Sequence, residues 1–101
     1  MAVPFKAPVK DITFGYEVID SYKILNKISE FSDFSEDIVI PTMEECAKFS
    51  EEVLAPINAI GDQQGATIDN GVVKMPQEFV DAYKKFAEAG WASISLPEEI
   101  G

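Results

Sequence analysis

The sequence has no histidine, a single cysteine (Cys46) and only 8 basic side chains against 18 acidic ones. Without imidazole there is no His-based triad, His metal ligand or imidazole general base to be built from these residues. One cysteine closes no internal disulfide, so the pattern is not that of a stapled secreted scaffold. The formal charge of −10 argues against nucleic acid and anionic membrane surfaces as partners, because both are held through Lys and Arg. No run approaches the ~18 apolar residues of a membrane span. The opening Met1–Lys10, interrupted by Pro4 and Pro8, lacks the apolar core of a signal peptide. The expectation is a cytoplasmic chain without membrane insertion.

Enough apolar material remains for a fold. With 101 residues, 47% of them hydrophobic and seven phenylalanines, the chain makes one domain at most and buries about two-thirds of its unfolded surface. Residues 1–13 carry two prolines and alternate apolar with charged positions, which predicts an extended arm lying on the rest through Val3, Phe5, Val9 and Ile12. From Phe14 the spacing changes. Phe14, Val18, Tyr22 and Leu25 recur every three or four residues, a short amphipathic helix weakened at its first turn by Gly15. Ser29–Ser35 reads as a loop. Two helix starts then compete: Ser35 before Glu36 and Asp37, and Thr42 with Glu45 in a capping-box pattern behind Pro41. Proline disfavours helical geometry at Ile40, so a turn over 35–40 and a main helix from Thr42 are expected. Its apolar face would hold Met43, Cys46, Ala47, Phe49, Val53, Leu54, Ile57 and Ile60, with a kink over 52–56 from Pro56.

The run Gly61-Asp62-Gln63-Gln64-Gly65 should end that helix. Asn70-Gly71 marks the turn of a small hairpin over 67–73. Pro76 suits the first turn of a last helix, with Glu78 at its positive end. Phe79, Tyr83 and Phe86 form its apolar stripe, Val80 and Ala87 flank them, and Gly90 stops it. The fold class is therefore all-α, mainly helical, with one minor β-hairpin: an arm over 1–13 and a helical domain over 14–101.

No side chain stands out as chemical machinery. Glu44-Glu45, Glu51-Glu52 and Glu98-Glu99 resemble acid–base or metal pairs, but adjacent residues on a helix point about 100° apart and do not converge. Asp69-Asn70-Gly71 resembles the middle of a calcium loop, yet the further acidic ligands are not at the required offsets. Cys46 lies on an apolar stripe with no basic neighbour, which reads as packing rather than nucleophile. Asp20-Ser21-Tyr22 offers another reading, that of an acidic helical acyl carrier bearing phosphopantetheine on Ser21. Tyr22 stands where that motif has leucine, and 20 residues are too few for the first helix and loop of that fold. A stand-alone acidic interaction module is the related alternative.

The order of motifs carries more. Glu44-Glu45-Cys46-Ala47-Lys48-Phe49 and Glu52-Val53-Leu54-Ala55-Pro56 are followed by Gly61-Asp62, Gly65, the Asp69-Asn70-Gly71 turn and the helix after Pro76. Gly90-Trp91 and Leu96-Pro97-Glu98-Glu99-Ile100-Gly101 close the series. Together they resemble the N-terminal α-domain of the FAD-dependent acyl-CoA dehydrogenases, with Ile100 where that family has an aromatic. The early stretch with Ala7-Pro8, Asp11, Phe14 and Glu17-Val18 is similar to an N-terminal extension of some longer members. The resemblance implies a fragment of an enzyme that takes an acyl-CoA substrate, holds FAD and passes electrons to an acceptor. It also implies that flavin, thioester and catalytic glutamate are held by regions absent here. No catalytic, cofactor-binding or metal-binding residue is carried over, and no FAD is expected on this chain alone. Phe79, Tyr83, Phe86 and Trp91 are expected as interior anchors. Uncovered apolar surface should favour self-association.

Overall fold

A computed structural model describes residues 4–100; the expectations for Val3 and Gly101 lie outside the described residues. The chain divides into two units, Met1–Ala55 and Pro56–Gly101. The mainly helical fold with one small antiparallel pair of strands agrees with the reading of the sequence.

In the first unit, α1 spans Val9–Val18 and α2 spans Ser21–Leu25. Residues 9–13, expected as extended, are thus helical. Pro8 stands at the N-cap, where its missing N–H costs no helical hydrogen bond, and Asp11 supplies the acidic first turn. The helix expected from Phe14 to Leu25 is broken by Asp20, which adopts the left-handed conformation at φ 57°. The break changes the phase. Phe14 and Val18 are 63% and 64% exposed, while Tyr16 turns inward onto Tyr22 and Phe34.

Helix α3 spans Glu36–Phe49 and includes Pro41, so the start at Ser35 prevails over the one at Thr42. Ser35 is extended, and its carbonyl accepts from the amides of Ile38 and Val39 at 3.1 and 2.9 Å. An earlier start brings Val39 into helical register with Met43 and Ala47, and Val39 and Ala47 are buried. Their burial offsets the amide bond that Pro41 omits. Thr42 is no cap; its hydroxyl donates back to the Ile38 carbonyl at 2.7 Å. Cys46, expected in the core, is exposed beside Ala47, because Val39, Met43 and Ala47 take the inward line. Leu54 is exposed as well.

The irregularity expected around Pro56 is present as a change of helical pitch. A π-helical turn over Ser50–Leu54 is followed by a 3-10 turn over Ala55–Ile57. The arm is tied to this region by Lys6, whose Nζ lies 3.5 Å from Glu51, a surface pair worth about 0–1 kcal/mol.

The second unit continues into α4, Asn58–Gln64. Gly61 lies inside it rather than ending it; the chain leaves the helix at Gly65, with φ 61°. Strands β1 (Thr67–Asp69) and β2 (Val72–Lys74) pair with Ile68 opposite Val73. Asn70 and Gly71 both have positive φ, 52° and 78°, as a two-residue hairpin turn of the expected kind requires. Helix α5 spans Gln77–Glu88, with Pro76 at its N-cap rather than in its first turn. Gly90, at φ 84°, donates its N–H to the Ala87 carbonyl and ends the helix. A 3-10 turn over Trp91–Ser93 follows.

Of the expected anchors, Phe79, Phe86 and Trp91 are half-buried. Tyr83 is not an anchor: it is 67% exposed and stacks on Phe86 with centroids 6.3 Å apart. Ala82, one residue earlier, takes the buried position. A small side chain there admits close packing that a phenol ring would block.

Candidate functional site

The acidic pairs lie mostly at the surface. Glu44 and Glu45 are exposed on α3, Glu52 is exposed on the π-helical turn, and Glu98 and Glu99 are exposed in a turn closed by the Ile100 amide on the Pro97 carbonyl. Glu51, half-buried, faces Lys6. Asp69 pairs with Lys74 across the hairpin at 3.1 Å. Among the described residues, no group of three or more His, Cys, Asp or Glu side chains could hold a metal ion. Ser21 is buried at the first position of α2.

What the first unit does gather is an aromatic cluster. Tyr16, Tyr22 and Phe34 stand with ring centroids 5.9, 6.1 and 5.3 Å apart, which supports α1 and α2 across their break. Sequence spacing placed Tyr22 on an apolar stripe but gave no sign of Tyr16 or Phe34. Desolvation among these rings, followed by the charge of Glu36 and the proximity of Tyr16 and Glu17, raises the Tyr22 phenol above its ordinary 10.0. A phenol with a raised folded pKa holds its proton more tightly in the folded state. Its contribution to stability is complete below pH ~10 and is lost as pH rises through the folded value. Tyrosinate absorbance against pH should show a late-titrating phenol that Tyr22→Phe removes. Survival of that late component in the variant would refute the assignment.

The other feature at the surface is apolar. No large side chain is fully buried among the described residues. In the first unit Phe14, Val18 and Ile19 are exposed together; in the second, Val72, Val73 and Ile68 crowd the hairpin, with Ile68 75% exposed. Exposed leucines or valines occurring singly are ordinary, whereas large contiguous apolar patches are typical of interaction sites. Among the described residues, no helix is long and apolar enough to cross a membrane.

Comparison with known proteins gives the chain its kin. No protein-family model matches it. It is 35% identical over 97 residues to the 3-methylmercaptopropionyl-CoA dehydrogenase of Ruegeria pomeroyi, a match that covers 96% of this chain and 16% of that protein. The motifs from Glu44 to Gly101 and the helical architecture point the same way. The chain is similar to that dehydrogenase along nearly all its residues, and it spans 16% of the length of the curated relative it matches.

Proposed function

We propose that this chain is the N-terminal helical domain of an FAD-dependent acyl-CoA dehydrogenase. Its role there is architectural: it packs against further helices and walls one side of the acyl site. The observation that carries this reading is the 35% identity maintained over 96% of the chain. The apolar surfaces on α1 and on the hairpin support it, since a wall domain keeps such surfaces for its neighbours. The α,β-dehydrogenation of an acyl-CoA thioester, the electron acceptor and the flavin belong in this reading to the whole enzyme.

In this reading the flavin is held by the rest of the enzyme, and this chain contributes shape and stability rather than a proton or electron step.

The test is the natural gene product. Its intact mass should be several times that of this chain, and the purified protein should be yellow, with a flavin spectrum bleached by an acyl-CoA thioester. The 101-residue chain prepared alone should be colourless. A colourless gene product, or stoichiometric flavin on the isolated chain, would overturn the proposal.

A further inference from the structure

We propose that Asn70 is a self-modifying site: the Gly71 amide nitrogen closes on the Asn70 side-chain carbonyl, and the isoaspartyl product unpairs the hairpin of β1 and β2. The only co-reactant is water.

The reaction balances within the turn. The backbone nitrogen of Gly71 loses its proton and attacks Cγ of Asn70. A C–N bond forms, the bond from Cγ to Nδ2 breaks, and ammonia leaves with that proton. The result is a five-membered succinimide, which water opens at either carbonyl. Opening at Cγ leaves an aspartyl residue. Opening at the main-chain carbonyl routes the backbone through Cβ and Cγ and leaves an isoaspartyl linkage. Because the first step is intramolecular, it requires only that nitrogen and carbon meet.

Three observations select Asn70. Both turn residues are exposed, and among the described residues neither the Asn70 side chain nor the Gly71 N–H makes a hydrogen bond. Gly71 carries no side chain to hinder the approach, and a Cβ built on it meets nothing within 4 Å. The hairpin is also weak. Its strands, Thr67–Asp69 and Val72–Lys74, are exposed at every residue, and an isolated two-stranded pair is marginally stable in water. The turn therefore opens at little cost in free energy, and its backbone leaves φ 52° and 78° to reach the geometry of attack.

Asn26 and Asn58 give the contrast. The Asn26 Nδ2 donates to the Phe31 and Phe34 carbonyls, and Lys27 follows it. Asn58 stands in α4, and Ala59 follows it. In both cases a Cβ on the next residue crowds the nitrogen, while the bonded amide or the helix holds the reacting atoms apart.

The product matters because the turn has no slack. With Asp69 opposite Val72, the connection is a two-residue turn with both φ positive, and an isoaspartyl linkage lengthens its backbone by one atom. The new carboxylate also stands beside Asp69 and competes for Lys74, which lies 3.1 Å from Asp69.

The experiment ages the purified natural gene product in mildly alkaline heavy-oxygen water and maps its peptides after digestion in acid. The Asn70 peptide should lose ammonia, take up heavy oxygen and divide into aspartyl and isoaspartyl forms. Its rate should exceed those of the Asn26 and Asn58 peptides by at least about tenfold, and lie within about tenfold of a free peptide of the hairpin sequence. Hydrogen exchange over the two strands should be faster in the chromatographically separated isoaspartyl fraction than in fresh protein. Asn70→Gly, which keeps a turn of the same class, should show neither the mass change nor the faster exchange. The proposal is overturned if Asn70 keeps its amide as long as Asn58, or if the aspartyl form alone appears, which is direct hydrolysis without the ring. Unchanged exchange in the isoaspartyl fraction equally overturns it. None of these readouts involves flavin, so their failure is distinguishable from failure of the dehydrogenase reading.

Discussion

Gly61→Ala is expected to destabilise the second unit by about 1–3 kcal/mol, although alanine is the better helix former by about 1 kcal/mol. Gly61 lies within α4, where backbone freedom is not required. What is required is room. A Cβ at this position would overlap Cζ of Phe79 and stand 3.0 and 3.2 Å from Cε1 and Cε2. Phe79 has two side-chain torsions and sits in the first turn of α5, its amide donating to the carbonyl of the buried Pro76 at 3.0 Å. The ring tip can therefore retreat only by swinging the whole ring or by parting α4 from α5. Thermal unfolding should show the loss as a lower midpoint. A double-mutant cycle supplies the sharper test: Phe79→Leu should cost stability in the parent yet restore part of it in the Gly61→Ala background. An alanine variant as stable as the parent would show that the helices part freely and that this contact does not hold the unit together.

This contact also shows what was legible in the sequence and what was not. The run Gly61-Asp62-Gln63-Gln64-Gly65 was read as a helix end, and the chain does leave α4 at Gly65, but Gly61 itself lies inside the helix. Its real use is a side chain 18 positions away in the sequence, and no local pattern encodes such a distance. Asn70-Gly71 and Gly90 were read correctly for the opposite reason: positive φ is a local demand, and glycine or asparagine meets it locally. Pro56 was legible as a disturbance, though not as the π-helical and 3-10 turns that absorb it.

Periodicity proved good at grouping residues and poor at orienting them. The Phe79/Tyr83/Phe86 spacing predicted α5, but Ala82 packs and Tyr83 faces solvent. In α1 the error came from phase. A helix read from Phe14 makes Phe14 and Val18 the core stripe; one that begins at Val9 and breaks at Asp20 turns Tyr16 toward Tyr22 and Phe34 instead. Asp20 in the left-handed conformation gave no warning, because aspartate adopts it far less often than glycine. The resemblance was legible from the order of motifs rather than from any one of them, and the match to a dehydrogenase of Ruegeria pomeroyi covers 96% of the chain.

Asn26→Asp should destabilise the first unit by about 0.5–1.5 kcal/mol, since the bonds it disturbs are solvent-exposed. The loop after α2 was expected to be irregular, but it is organised by one side chain. The Asn26 amide donates to the carbonyls of Phe31 and Phe34 at 3.0 and 2.7 Å, both bonds from the same Nδ2. These bonds hold Phe34 against Tyr22, at 5.3 Å between centroids, immediately before the N-cap Ser35 of α3. Aspartate keeps the shape and reverses the interaction: an ionised carboxylate has no donor and faces two carbonyl oxygens. Asn26→Ala merely removes the bonds, so it should be the milder substitution at neutral pH. Protonating the new carboxyl, below its ordinary value of about 3.9, restores one O–H donor. The difference between the two variants should then narrow in acid, while the background titration common to both cancels in the comparison. Urea unfolding of both variants at neutral and acidic pH measures this directly. If the aspartate variant matches the alanine variant at every pH, the two bonds do not organise the loop, and Phe34 is held by ring packing alone.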